Sequence, residues 1–121
     1  MIDPKLTYAV IGASNNVEKY GYKVFKDLIK KGFNAIAINP NEKEIFGKKA
    51  YSTLSDFKGK IDFAIFVLSP KFSLAILEEV KKLGIQKVWF QPGAESDEGI
   101  EFCKKNDIEY IANACVMIQS S

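Results

Sequence analysis

Short apolar runs alternate along this chain with longer segments whose apolar positions recur every three or four residues. The first run, Thr7-Tyr8-Ala9-Val10-Ile11, is β-branched and aromatic and predicts a strand. Gly12-Ala13-Ser14-Asn15-Asn16 follows as a turn. A helical period then runs from 17 or 18 to 31, with Val17, Gly21, Val24, Phe25 and Leu28 on one face and Gly32 as the stop. Asn34-Ala35-Ile36-Ala37-Ile38 predicts a second strand, ended by Asn39-Pro40-Asn41 because a central strand does not readily absorb a proline. Residues 41–60 are polar and irregular, with a short strand expected near Ala50-Tyr51 and a helical turn over 53–57.

Phe63-Ala64-Ile65-Phe66-Val67-Leu68 is continuously apolar, as a strand covered by helices on both faces must be. Ser69-Pro70 reads as an N-cap and first-turn proline, opening a helix that ends at Leu83-Gly84 with Ala75, Ile76, Val80 and Leu83 inward. A strand over 87–91, the Pro92-Gly93 turn, a helix over 96–105 burying Ile100 and Cys103, and a strand over 109–112 complete the pattern. Strand-then-helix segments at this spacing predict an α/β fold. The expected architecture is one domain over 1–121, a doubly wound parallel sheet of about five strands with helices on both faces.

Composition then narrows the function by exclusion. A chain of 121 residues with 47% hydrophobic and 26% charged residues can bury one real core. The net charge of +2 comes from scattered lysines, so no nucleic-acid partner is expected. The apolar runs are strand-length, so no membrane span is expected, and Met1-Ile2-Asp3-Pro4-Lys5 lacks a signal-peptide core. Two cysteines, Cys103 and Cys115, fit a reducing, cytoplasmic location and are not spaced as zinc ligands. The chain has no histidine, which removes the commonest general base, the commonest metal ligand and any phosphohistidine relay. No catalytic residue and no metal ligand is assigned.

The first turn is the main candidate for chemistry. A glycine turn leading into a helix aims unpaired N–H groups and a positive dipole end at an anion. The turn departs from the dinucleotide fingerprint G-x-G-x-x-G, with Ser14 and Val17 where glycines would stand. After the second strand, where an NAD site wants an acid for the ribose, the chain reads Asn39-Pro40. Lys43, close by, is either a solvated lysine or a contact for a phosphate on the adenosine ribose. In an open parallel sheet the ligand lies outside the carboxyl ends of the strands, where strand order reverses. Gly12-Ala13-Ser14, Asn39-Pro40 and Val67-Leu68-Ser69-Pro70 are all expected to converge there.

These residues resemble a known family, the small stand-alone CoA-binding proteins related to the N-terminal domain of the succinyl-CoA synthetase α subunit. The resemblance rests on G-A-S-x(4)-K-Y-G from Gly12 to Gly21, N-P-N-x-x-x-I-x-G from Asn39 to Gly47, and Val88-Trp89-Phe90-Gln91-Pro92-Gly93-Ala94. It implies a Rossmann-like domain holding coenzyme A or an acyl-CoA. By position, Gly12, Ala13 and Ser14 would contact the phosphates, with Lys19 as a further phosphate contact. Asn39, Pro40 and Lys43 would lie near the adenosine and its 3′-phosphate, and Val67, Leu68 and Ser69 along the adenine or pantetheine. The family's larger relatives ligate acyl groups to CoA through a phosphohistidine on another domain. The resemblance therefore implies a binding module without a complete catalytic apparatus, monomeric or homodimeric, or partnering a separate ligase domain.

Other readings stay open at this point. One is a small NAD(P)-dependent oxidoreductase; another is a regulatory subunit that uses CoA as its signal. Cys115 is either a packed small residue or a thiol able to exchange with that of CoA, with packing preferred. Trp89 and Phe90 read as core, Gln91-Pro92-Gly93 as a turn that could border the ligand, and Glu95, Asp97 and Glu98 as acids favoured by a helix dipole.

Overall fold

Every apolar run becomes a strand, and the strands end level with one another. The computed structural model describes residues 3–119, with side chains through 117; Met1 and Ile2 of the expected non-signal N-terminus lie outside them. The strands are β1 (Thr7–Ile11), β2 (Asn34–Ile38), β3 (Glu44–Ile45), β4 (Lys48–Tyr51), β5 (Phe63–Phe66), β6 (Lys87–Phe90) and β7 (Glu109–Ile111). They form one sheet in the order β3-β4-β2-β1-β5-β6-β7. All neighbours are parallel except the β3–β4 hairpin. Ile11 pairs with both Ile38 and Phe66, Ile38 with Tyr51, and Phe66 with Phe90. Five carboxyl ends thus lie in one row, and the order reverses between β1 and β5.

Alternation along the strands divides the core in two. Tyr8, Val10, Ala35, Ala37, Phe63, Ile65 and Trp89 meet Val24, Phe25 and Leu28 of α1 (Tyr20–Lys30) and Val116 of α4 (Val116–Gln119). Ala9, Ile11, Ile38, Ala64, Phe66, Val88 and Phe90 meet Leu77 and Val80 of α2 (Ser73–Lys82) and Cys103 of α3 (Asp97–Lys105). Tyr8 stacks on Phe63 with ring centres 5.3 Å apart, and its hydroxyl donates to the Asp3 carbonyl at 2.8 Å. Burial, chiefly, raises the pKa of that phenol above its ordinary value. At the start of α3, Ser96 Oγ accepts from the Gly99 N–H at 3.0 Å, and Asp97 and Glu98 occupy the first turn. Those acids sit where the helix dipole favours them.

Several expectations need correction. The sheet has seven strands rather than about five, because a two-residue edge strand such as β3 carries no readable period. The first helix starts at Tyr20, not 17 or 18, and Val17 is 60% exposed rather than core-facing. Ser14 Oγ accepts from the Asn16 N–H and Asn16 Oδ1 from the Glu18 N–H, both at 3.0 Å, which extends the turn at the helix's expense. The central strand stops at Phe66, and Val67 and Leu68 leave it. Ser69 makes no capping side-chain bond; Pro70 opens a short 3-10 turn, Pro70–Phe72, that runs into α2. That turn rotates the helix, so Ser73, Leu77 and Val80 are buried, Ala75 and Leu83 are exposed and Ile76 is half-buried. On α3, Cys103 is buried and Ile100 only half-buried. The last strand ends at Ile111, and α4 was not foreseen.

Candidate functional site

Two glycines bring the strand ends and the first helix into contact. Gly12 leaves β1 at φ +102°, where a side chain is strained, and a Cβ there would lie 2.8 Å from the Val67 carbonyl oxygen. A Cβ on Gly21 would overlap the Gly12 carbonyl oxygen outright. The N-terminus of α1 therefore presses on the turn, and the turn on the end of β5. Gly21 performs the close helix–strand packing for which the fingerprint's third glycine is used in dinucleotide sites.

The loop after β2 is latched to the same turn. Asn39 Nδ2 donates to the Ala13 carbonyl at 2.8 Å, Asn39 Oδ1 accepts from the Asn41 N–H at 2.8 Å, and the Asn39 N–H donates to the Tyr51 carbonyl at 2.9 Å. Asn15 Nδ2 reaches Glu42 Oε1 at 2.8 Å and the Glu44 carbonyl at 2.7 Å. Asn39 is thus a bracket between β1, β2 and β4, which explains an asparagine at a strand end where many nucleotide sites carry an acid.

Between these segments runs a cleft of about 830 Å³ at the carboxyl edge, over the point where strand order reverses. Gly12, Ser14, Lys19, Asn39, Pro40, Val67, Leu68 and Ser69 all line it. Ala13 and Lys43 do not. The Ala13 side chain is fully buried against α1, while Lys43 is exposed on the hairpin, its carbonyl accepting from the Ala50 N–H at 2.9 Å. Among the lining residues that the sequence reading did not assign to a ligand are Tyr20, Leu54, Phe72, Ile76 and Glu79. Of these, only Tyr20 stood inside a quoted motif; the others come from segments that pattern alone assigned to a polar loop or a helix.

Electrostatics differ between the two faces. Lys19 is exposed as the N-cap of α1, whose first turn holds no acid, although Glu18 directly precedes it. On the α2 face of the sheet the lining is apolar at Leu54, Leu68 and Phe72 and includes Glu79. Beside the cleft, the Tyr20 hydroxyl lies within hydrogen-bond distance of Cys115 Sγ. Burial, then the Cys115 thiol, holds the Tyr20 phenol above its ordinary range. Cys115 is half-buried, whereas Cys103 is fully buried and its thiol is pushed up to about 11 by burial. Trp89 Nε1 donates to the Ala114 carbonyl at 2.8 Å, and Gln91 Oε1 accepts from the Val116 N–H at 3.1 Å. Trp89 and Gln91 thereby pin the segment carrying Cys115. Among the described residues no group of three His, Cys, Asp or Glu side chains could hold a metal ion. None of the described helices is long and apolar enough to cross a membrane.

Comparison with known proteins agrees with this geometry. The family described as CoA binding domain matches residues 6–121. The α subunit of acetate–CoA ligase [ADP-forming] II from Pyrococcus furiosus is 34% identical over 93% of this chain, which spans 27% of that subunit. The chain thus covers about a quarter of that curated relative, and 17% of the acetate–CoA ligase [ADP-forming] of Methanocaldococcus jannaschii, to which it is 32% identical. A conserved hypothetical protein of Pyrococcus furiosus superposes with a TM-score of 0.90 at 40% identity, covering 94% of this chain and 98% of that one. With its Rossmann-like sheet, its glycine turn and a family match across all but its first five residues, this chain belongs to the CoA-binding domain family.

Proposed function

We propose that this chain binds coenzyme A, free or as an acyl-CoA, along the carboxyl-edge cleft and has no complete catalytic apparatus of its own. The observation that carries the reading is the convergence of β1, β2 and β5 ends on one cleft, which Lys19 and the acid-free first turn of α1 also line. In this reading the phosphates lie against Gly12, Ala13 and Ser14 and near Lys19, held by backbone N–H groups and positive charge. Ala13 contributes through its backbone, since its side chain is buried. Asn39 and Pro40 border the adenosine, with Lys43 available from the hairpin for the 3′-phosphate, and Val67, Leu68 and Ser69 pack along the adenine or pantetheine. The relatives named as ligases are several times longer, and this chain carries no histidine to take a phosphoryl group. Both facts support a reading of binding without turnover, and the proposal adds a cytoplasmic location and a monomeric or homodimeric state.

The test is thermal stabilisation and calorimetry with CoA, 3′-dephospho-CoA, NAD and NADP. A ligand at a hundredfold excess over its Kd raises stability by about 2.7 kcal/mol. CoA should stabilise, dephospho-CoA less, and NAD not at all. Stabilisation by NAD(P) but not CoA would replace this reading with that of a small oxidoreductase, for which Asn39 leaves the ribose without its acid. A second reading, a CoA-binding subunit partnering a separate ligase domain, draws on the ligase subunits of which this chain matches a quarter. Co-purification with a larger ligase polypeptide would favour it.

A further inference from the structure

We infer that Glu79 selects the base of the bound nucleotide by accepting a hydrogen bond from the exocyclic amine of adenine. The inference rests on the CoA reading and adds a specificity residue to it. Phe72, Ile76 and Glu79 stand four and three residues apart, so the 3-10 turn and α2 present them as one stripe to the cleft. Glu79 is the one carboxylate among the described lining residues, and it stands on α2, which packs on the face of the sheet opposite α1 and Lys19. Its Oε2 accepts from Ser55 Oγ at 2.6 Å and from the Ser55 N–H at 3.3 Å, across the gap between α2 and the 3-10 turn Leu54–Asp56. Two bonds from one residue hold the carboxylate still, and its Oε1 takes no hydrogen bond among the described residues.

A carboxylate only accepts, so whatever meets Oε1 must bring an N–H or O–H. Leu54, Phe72 and Ile76 flank it with apolar surface suited to a flat ring. The cleft thus passes from the cation and helix N-terminus on the α1 face, over the strand ends with neutral polar groups at Asn39, Asn41 and Ser52, to apolar lining and a fixed acceptor on the α2 face. A nucleotide has the same order: phosphate, ribose, then a planar base. At the 6-position adenine offers an amino donor, whereas hypoxanthine and guanine place a keto oxygen there that repels a carboxylate, and they meet it only through N1–H with the ring shifted.

Calorimetry with CoA and deamino-CoA, in which the adenine is replaced by hypoxanthine, tests this on the wild type, Glu79→Ala, Glu79→Gln and Ser55→Ala. Glu79 is half-buried, so the preference of the wild type for CoA should be about three- to tenfold, the value of one hydrogen bond to a partly solvated charge. Glu79→Ala should bind both ligands equally. Ser55→Ala, which frees the carboxylate, should narrow the preference without abolishing it, and Glu79→Gln, able to turn its amide towards either base, should lie between. Circular dichroism melting confirms that each variant is folded. Equal binding by the wild type, or an undiminished preference in Glu79→Ala, overturns the inference; a fall in CoA affinity with the preference intact assigns Glu79 to bracing alone. No CoA binding by the wild type removes the CoA reading itself, and the base reading with it.

Discussion

Replacing Gly21 by alanine sets two effects of opposite sign against each other. In a helix interior alanine is favoured over glycine by about 1 kcal/mol, so an exposed site would be stabilised. Gly21 is buried, and the new Cβ would overlap the Gly12 carbonyl oxygen, with the Ala13 Cα 3.3 Å away. Both obstacles are backbone, so no rotamer change relieves the clash. Either α1 lifts from β1 or the turn moves, and overpacking of this kind costs about 1–3 kcal/mol. Lifting α1 also loosens Val24, Phe25 and Leu28, all fully buried, and full burial of each such side chain is worth roughly 1.5–3 kcal/mol. Position two of the helix realises little of the propensity gain, so we expect a net loss of about 1–3 kcal/mol, or roughly 3–12 °C in Tm for a chain of this size. Urea unfolding followed by circular dichroism measures it, with Lys23→Ala on the exposed side of α1 as a control expected within about 0.5 kcal/mol of wild type. CoA affinity should fall with it, because the displaced turn lines the cleft. A Gly21→Ala protein as stable as wild type, or more so, would refute the close approach of helix and turn.

Other substitutions probe separate parts of the fold. Ser96→Ala removes the side-chain cap on the Gly99 N–H and should cost about 1 kcal/mol in urea unfolding. Leu54→Ala empties a fully buried position in the floor of the cleft and should cost about 2–4 kcal/mol while weakening CoA binding. Under native conditions near pH 8 a thiol reagent should label Cys115 well before Cys103, whose folded thiol is pushed up to about 11, and denaturation should equalise them. The ordinary thiol value is 9.0, so folding holds Cys103 protonated and the stability this contributes is complete below about pH 9. It is lost as pH rises towards about 11, and the stability difference between wild type and Cys103→Ala should shrink over that window.

The parallel sheet, its two helical layers and the three segments that meet at its carboxyl edge were legible because each depends on local chemistry. The continuous apolar run 63–68 reads as a covered strand, of which 63–66 forms β5, and Gly12 and Asn39-Pro40 end their strands by backbone rules that act within two or three residues. The family resemblance was carried by the turns from Gly12 to Gly21 and Asn39 to Gly47 and by the strand-and-turn segment Val88 to Ala94. The β3–β4 hairpin was not legible, because two-residue edge pairing leaves no period, and neither was the late start of α1, which side-chain bonds from Ser14 and Asn16 decide.

The amino-acid sequence by itself determined the order of the longer strands and helices, the class of fold and eight residues that border the cleft, for all of these follow from short-range pattern and turn chemistry. Tertiary structure alone decided which faces meet. It buried the Ala13 side chain, left Lys43 on the hairpin, and turned Phe72, Ile76 and Glu79 into the cleft through one 3-10 turn at Pro70. A residue's neighbours across a gap depend on the rotation and approach of whole helices, and at Gly21 that approach is set by the absence of a single carbon atom.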